Sequence, residues 1–146
     1  MKTRIKNLFL LPALLAVLGS MLASRVTAQT FTNLYSFTAP SAANSDGVEP
    51  LGALLLSGNT LYGTASGGGT NGNRTVFAVN TDGSGFTVLH TFTALINSTN
   101  SDGANPSGGL ILSGNLLIGT AQIGGSAGNG TVFAVRTDGL YFYEPA

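Results

Sequence analysis

A nine-residue segment that occurs twice is the feature that most constrains how this chain folds. Residues 75–83 read Thr-Val-Phe-Ala-Val-Asn-Thr-Asp-Gly, and they return 56 positions later with Arg136 in place of Asn80. A short β-branched and aromatic run closed by Asp-Gly predicts a strand that enters a tight turn. Because the segment recurs at a fixed spacing, the repeat has to be identified before any single element is interpreted.

The repetition extends well beyond that segment. Residues 31–85 match residues 86–141 at 33 of 55 aligned positions, with one residue inserted in a polar loop. Each copy has two apolar runs around Ser-Gly-Asn, a pattern that indicates a hairpin because Gly and Asn accept positive φ. Glycine at this density disfavours helix. We therefore predict about four short strands in each copy.

Four strands in about 55 residues are the content of one propeller blade. We predict an all-β fold of β-propeller-like, four-stranded repeat units, with the first repeat at about 31–85 and the second at about 86–141. Closed propellers typically have four to eight blades, so two copies predict a partial propeller. A fragment of a longer repeat protein, a ring of several copies and an open stack of units all remain possible.

The two ends of the repeat region carry their own predictions. The alternating run Phe31–Phe37 is predicted to be a strand, equivalent to the last strand of a blade. Residues 140–146 depart from the repeat where a further fourth strand is due. In this arrangement a terminal strand could complete the blade made by the other end of the chain and close a ring.

Residues 1–28 have the pattern of a secretory signal peptide. A basic start precedes an apolar run at 8–23, and Val-Thr-Ala at 26–28 supplies the small residues of a cleavage site. The run is shorter than the roughly 20 apolar residues of a spanning helix. We predict a signal helix cleaved after Ala28, a β-repeat domain at 29–146, and a secreted, extracellular or cell-surface location.

The charge and cysteine content of residues 29–146 excludes several classes of function. Two arginines, six carboxylates and no lysine give this part of the chain a net charge of −4. Such a chain lacks the basic footprint of a nucleic-acid-binding protein. The sequence contains no cysteine, so thiolate catalysis and Cys-ligated metal sites are excluded. We predict no cofactor.

Four aspartates each precede a glycine, at positions 46, 82, 102 and 138. Asp-Gly is common in turns, where the carboxylate binds nearby backbone N–H groups, and this is the interpretation we favour. Asp46 and Asp102 lie in loops rich in oxygen ligands, which makes them weak calcium candidates. Neither loop matches an EF-hand, which needs a Glu at its twelfth position.

Three ring-bearing residues are candidates for a ligand surface: Tyr35, Tyr62 and His90. His90 is the only histidine and is the repeat counterpart of Tyr35. The sequence places no carboxylate partner beside it, so we interpret it as a semi-exposed strand residue. The glycine-rich loops lack the helix and the lysine of a phosphate site. No catalytic residue is predicted.

Several motifs in fixed order resemble the bacterial GloVer tandem repeat of the choice-of-anchor family of exported proteins. They are Ser-Asp-Gly-x-x-Pro, Leu-x-Leu-Ser-Gly-Asn, Leu-Tyr-Gly-Thr, Gly-Thr-Val-Phe-Ala-Val and Thr-Asp-Gly, spread over residues 31–139. The resemblance implies export and a cell-surface or extracellular location, often with a C-terminal sorting signal after many repeats. It implies no catalytic residue. Two repeats and the lack of an apolar C-terminal anchor set this sequence apart from that pattern.

Three hypotheses about function follow. The first is an exported, non-enzymatic β-repeat protein with a structural role or a binding role toward an extracellular glycan, a protein or further copies of itself. The second is an extracellular hydrolase or lyase on a propeller scaffold, which would need a clustered acid pair. The acids outside Asp-Gly turns, Glu49 and Glu144, have no repeat-related partner. The third is a truncated fragment of a longer repeat protein without independent activity.

Overall fold

A computed structural model describes residues 30–39, 45–68 and 74–143. The predicted signal peptide and Glu144 lie outside these residues. The chain divides into two units, residues 1–32 and residues 33–146, and every strand of the described chain lies in the second. Within the described residues, no helix has the length and apolar character needed to span a membrane.

The described residues form two antiparallel sheets of four strands each, and the strands of each sheet lie side by side in chain order. This confirms the all-β prediction. The first sheet takes its fourth strand from the start of the second repeat, at Thr87–Thr91, so residues 31–85 contribute three strands and residues 86–141 contribute four. The strands are β1 (Leu55–Ser57), β2 (Thr60–Ala65), β3 (Thr75–Asn80), β4 (Thr87–Thr91), β5 (Ile111–Ser113), β6 (Leu116–Ala121), β7 (Thr131–Arg136) and β8 (Phe142–Tyr143).

The Ser-Gly-Asn hairpins form as the sequence predicts. Ser57 pairs with Thr60 across the first turn, and Ser113 pairs with Leu116 across the second. The turn glycines have φ of +57° at Gly58 and +61° in the second repeat. Glycine adopts this region without the steric cost that a Cβ imposes. The turns therefore fix the register of both hairpins and, with it, which side chains share a face.

Each sheet has two faces, which we call front and back. The front face of the first sheet carries Leu55, Tyr62, Thr64, Val76 and Ala78, and its back face carries Leu54, Leu61, Gly63, Phe77 and Val79; the second sheet has the same faces 56 positions later. The front face of the first sheet packs on the back face of the second. Their buried side chains form one core, which includes Tyr62, Val76 and Ala78 together with Leu110, Leu117, Phe133 and Val135.

A glycine in the second strand of each repeat lets a phenylalanine ring lie flat on the back face. A Cβ on Gly63 would stand 2.5 Å from Cζ of Phe77, and one on Gly119 would stand 2.6 Å from Cζ of Phe133. Both distances are far shorter than real carbon contacts, so only glycine fits. This explains why Gly occupies the same strand position in both copies.

The run Phe31–Phe37 is not a strand, which corrects the prediction for it. Its repeat counterpart does form β4, because β3 lies beside it and supplies the ladder hydrogen bonds. No described strand lies beside residues 31–37. A sequence with strand character forms a strand only where a partner edge is available.

The end of the second repeat also differs from expectation. Although residues 140–146 depart from the repeat in sequence, Phe142 and Tyr143 pair with Val135 and Ala134 and form β8. The fourth strand of the second sheet is thus supplied by the residues that follow β7. Within the described chain the run at 31–37 takes no part in that sheet, so no ring closure by a terminal strand is seen.

Candidate functional site

The polar loop of the second repeat holds a buried carboxylate, Asp102, which is 1% exposed. Its Oδ1 and Oδ2 accept hydrogen bonds from the Thr93 backbone N–H, and Oδ1 also accepts one from the Thr93 hydroxyl at 2.5 Å. Nε2 of His90 lies 3.0 Å from Asp102 Oδ2. The His90 ring stacks on Phe142, with ring centroids 3.8 Å apart. We call His90, Thr93, Asp102 and Phe142 the Asp102 cluster.

The first repeat contains the same arrangement around Asp46. The Tyr35 hydroxyl donates to Asp46 Oδ2 at 2.8 Å, the Thr38 N–H donates to the same oxygen at 2.9 Å, and the Thr38 hydroxyl donates to Oδ1 at 2.7 Å. The Tyr35 ring stacks on Phe86 at 3.7 Å between centroids. We call Tyr35, Thr38, Asp46 and Phe86 the Asp46 cluster. Tyrosine in one repeat and histidine in the other thus occupy the same position and donate to the same acceptor.

Each cluster also ties its loop to the nine-residue segment of its repeat. The Thr75 hydroxyl donates to the Asp46 carbonyl at 3.1 Å, and the Thr131 hydroxyl donates to the Asp102 carbonyl at 3.0 Å. The glycine that follows, Gly103, has φ of +92° and a backbone packed against Ala121 and Thr131. Asp-Gly in these loops therefore provides an acceptor and then a residue that fits a crowded left-handed position.

The pKa of Asp102 is lowered from its ordinary 3.8. Burial alone would raise it, but the hydrogen bonds from His90 and Thr93 to the ionised carboxylate outweigh burial. The pKa of Asp46 is lowered in the same way, with burial opposed by bonds from Thr38 and Tyr35. Burial and the neighbouring Asp46 carboxylate raise the pKa of Tyr35 to about 12. Both clusters are therefore built around an ionised aspartate.

Stability is expected to fall as the pH drops below 3.8, the ordinary pKa of these carboxyls. A depressed pKa in the folded state means that the unfolded chain binds more protons in this range, so acid favours unfolding, and the contribution is lost as pH falls through the folded pKa. Urea unfolding at about pH 6, about 4 and about 3 measures this. An unchanged midpoint down to the lowest pH would contradict it.

The chain matches one known family of repeat proteins over almost its whole length. The model of the Gloeobacter/Verrucomicrobia repeat matches residues 22–144. The chain belongs to this family. The match confirms the predicted GloVer resemblance. No curated protein and no solved structure matches the chain.

The other two Asp-Gly pairs of the GloVer repeats are turns, as the sequence predicts. Asp82 Oδ1 accepts from the Ser84 N–H at 2.9 Å and from its hydroxyl at 2.7 Å, and these bonds lower the Asp82 pKa. Asp138 Oδ1 accepts from the Leu140 N–H at 3.1 Å. Arg136, the residue that distinguishes the two copies of the nine-residue segment, lies 2.7 Å from Asp138 and over the Tyr141 ring.

Asp46 and Asp102, the weak calcium candidates, each have both carboxylate oxygens engaged by protein donors. Calcium takes six to eight oxygen ligands, and it would have to displace the threonine donors first. The described residues contain no group of three His, Asp or Glu placed to hold a metal. We expect thermal unfolding to be the same with calcium and with a chelator. A higher melting temperature with calcium would contradict this and support the metal site.

His90 lies in β4 and is partly exposed, as predicted, but it does have a carboxylate partner, which corrects the expectation that none lies beside it. Its side chain is 17% exposed and lies 3.0 Å from Asp102 Oδ2. The partner is remote in sequence, so local spacing did not indicate it. The repeat could have indicated this partner, because the alignment of the two copies sets Tyr35 against His90 and Asp46 against Asp102. The alignment also contains Thr38 with Thr93, which sequence analysis did not single out. Phe142 follows Phe86 by the same 56 positions but lies beyond the aligned residues.

Tyr35, Tyr62 and His90 do not form one ligand surface, which corrects that prediction. Tyr62 is 9% exposed and belongs to the core between the two sheets. Tyr35 stacks on Phe86 and donates to Asp46. His90 stacks on Phe142 and lies within hydrogen-bond distance of Asp102. The alternation of apolar residues in β2 predicted a face for Tyr62 but did not reveal that a second sheet covers it.

A cavity of about 330 Å³ lies on the back face of the first sheet. It is mainly apolar, and it is lined by Leu34, Tyr35, Phe37, Pro50, Gly52, Leu54, Leu61, Phe77 and Val79. The counterparts of several of these residues in the second repeat are buried under the first sheet, for example Leu110, Leu117 and Val135. The cavity is therefore the position that a neighbouring sheet fills one repeat further along the chain.

Proposed function

We propose that this chain is an exported, non-enzymatic GloVer repeat protein that acts as a structural or binding module in the extracellular space or at the cell surface. The signal-peptide pattern of residues 1–28 and the family membership support export. We also propose that the two repeats are blades of a partial propeller. Four-stranded antiparallel sheets that pack face on face support that arrangement.

The observation that carries the non-enzymatic role is the exchange of tyrosine for histidine between the two clusters. Tyrosine and histidine are residue types with very different acid-base behaviour. What they share is a donor aimed at a buried aspartate and a ring stacked on phenylalanine. A pair that exists to hold a loop needs only those shared properties.

The alternative of a hydrolase or lyase needs two carboxyl groups that face a substrate. In the described chain, the oxygens of Asp46 and Asp102 accept hydrogen bonds from within their own loops, and those of Asp82 and Asp138 serve turns. These contacts favour the structural interpretation. Mass spectrometry of a panel of polysaccharides and peptides after incubation with the protein would detect cleavage, and any product would refute the non-enzymatic role.

Between the two classes of ligand that the sequence suggests, the structure favours a protein over a glycan. The cavity on the first sheet is lined mostly by aliphatic and phenylalanine side chains. Glycan binding requires polar groups that replace the water around sugar hydroxyls. An apolar face of this kind is typical of a surface that packs against another protein.

Export is tested by the mass of the protein after expression with its own N-terminus in a bacterial host. We expect the extracytoplasmic fraction to contain a chain that begins at Gln29, the residue after the predicted cleavage site. A variant with Leu14 and Leu15 both changed to arginine is the matched control, because charges in the apolar run abolish a signal sequence. Full-length protein confined to the cytoplasm would refute the proposed location.

A further inference from the structure

Within the described residues, the two sheets have one front face and one back face on which no other sheet packs, at opposite ends of the same packing arrangement. The covered pair, the front of the first sheet on the back of the second, is the core of the molecule. No other described sheet packs on the back of the first sheet or on the front of the second, and we call these two the uncovered faces, although Phe37 packs on Phe77 at one side of that back face. The residues of each uncovered face are the repeat counterparts of those in a covered face. The covered contact therefore indicates what kind of surface each uncovered face can pack against.

The front face of the second sheet differs from its counterpart in exposure and at two residues, Ile111 for Leu55 and Ile118 for Tyr62. Val132 is 63% exposed, whereas Val76, its equivalent in the first sheet, is completely buried. Thr120 and Ala134 are identical to their counterparts Thr64 and Ala78. Ile111 and Tyr143 extend the same face and are also exposed. The face is therefore an apolar surface with the composition of a sheet-to-sheet contact.

The back face of the first sheet shows the converse difference. Leu54 is 55% exposed, whereas its counterpart Leu110 is 6% exposed. The exposed part of this face is at Leu54 and Leu56, whereas Phe77 and Val79 are buried beside the cavity. Their counterparts are the identical residues Phe133 and Val135 of the core. This face thus has the side chains that hold a front face in the second repeat.

A polar contact between the repeats gives the packing a fixed direction. The Thr64 hydroxyl, on the front of the first sheet, donates to the Gly108 carbonyl of the next repeat at 3.4 Å. Thr120 and Gly52 are the equivalent donor and acceptor on the two uncovered faces. A front face can make this bond with a back face, whereas two front faces would place two threonines opposite each other.

We propose that a second copy of this chain occupies the uncovered back face, with the front of its second sheet packed on the first sheet of its neighbour. The contact is head to tail, and its residues are the repeat counterparts of those in the core, with Ile118 in place of Tyr62 and Ile111 in place of Leu55. Contacts of this kind form a ring when the rotation closes and a filament when it does not. The assembly rests on the proposed non-enzymatic binding role, for which it supplies the partner.

Two single substitutions test the two uncovered faces one at a time. Leu54→Lys places a charge on the back face of the first sheet, and Val132→Lys places one on the front face of the second. Both side chains are more than half exposed, so the fold of the isolated copy tolerates the change. Ile96→Lys is the matched control, because Ile96 is 73% exposed but lies in the loop after β4, on neither face.

Sedimentation velocity of the protein as the cell processes it, from about 1 µM to about 1 mM, measures the assembly over the range of weak to moderate affinities. We expect the unsubstituted protein and Ile96→Lys to associate. Leu54→Lys and Val132→Lys should each be monomeric alone. Mixed in equal amounts, they should form a dimer and nothing larger, because each contributes one intact face.

Three results would overturn the proposal. They are an unsubstituted protein that remains monomeric throughout, an equal mixture of the two variants that remains monomeric, and self-association of either variant alone, which would mean that like faces meet. Circular dichroism of each variant verifies its fold. The N-terminal mass of the same samples reports export independently, so failure of the assembly and failure of the proposed location are distinguishable.

Discussion

Replacing Phe133 by alanine is expected to lower the free energy of unfolding by about 4 kcal/mol, as is typical of a phenylalanine deleted from a packed core. Phe133 is 1% exposed and lies where the two sheets meet, in ring contact with Phe92 and Phe142. The neighbouring strands are held by ladder hydrogen bonds and cannot collapse into the space left behind. For a domain of this size we expect a fall in melting temperature of roughly 15 °C.

Phe77→Ala is the matched comparison, because Phe77 occupies the same position of the first repeat. It faces the cavity of about 330 Å³, so its removal enlarges a space that already exists. We expect a loss of about 3 kcal/mol, the low end for such a change. Urea unfolding of both variants gives the two values. Equal losses would show that the back face of the first sheet is as well packed as the core, contrary to the structure.

Asp102→Ala is expected to lower the free energy of unfolding by about 3 kcal/mol, because it leaves the Thr93 N–H, the Thr93 hydroxyl and the His90 ring without their acceptor. The change also releases the loop from β4. Asp138→Ala is the control within the same repeat, since that carboxylate is exposed and its ion pair with Arg136 is worth about 1 kcal/mol or less.

His90→Tyr tests the side chain that lies against Asp102 in the same cluster. It reproduces the pair Tyr35–Asp46, in which a tyrosine hydroxyl donates to the aspartate and the ring stacks on phenylalanine. We expect the variant to stay within about 1 kcal/mol of the unsubstituted protein. A loss as large as that of Asp102→Ala would show that histidine is specifically required at this position, and would count against the structural role of the cluster.

Much of this fold could be predicted from the sequence because the same turn and strand motifs occur in both copies of the repeat. The Ser-Gly-Asn turns, the strand from Thr75 and the Asp82-Gly83 turn depend on residues near each other in the chain, and local chemistry determines them. The run Phe31–Phe37 has equally strong strand character, yet forms no strand. What decides its conformation is whether a partner edge lies beside it, and periodicity does not contain that information.

The candidate site could be predicted only in part, for a related reason. The aspartates at 46 and 102 were identifiable as residues in turn-rich loops, but their partners Tyr35 and His90 lie 11 and 12 positions earlier in the sequence, outside those loops. Tyr62 illustrates the limit for surfaces. Its position on a strand face follows from alternation, but its burial depends on the second sheet, which no pattern in the first repeat specifies.

The way one front face rests on one back face has a consequence for how such genes can change over time. Every unit offers its neighbour the same surface that it received from the unit before it, so an added copy needs no new interface. Duplication or loss of a whole unit lengthens or shortens the protein and leaves each existing contact intact, as in other linear repeat arrays. Selection can then adjust copy number and loop sequence separately, with the packing surfaces held constant.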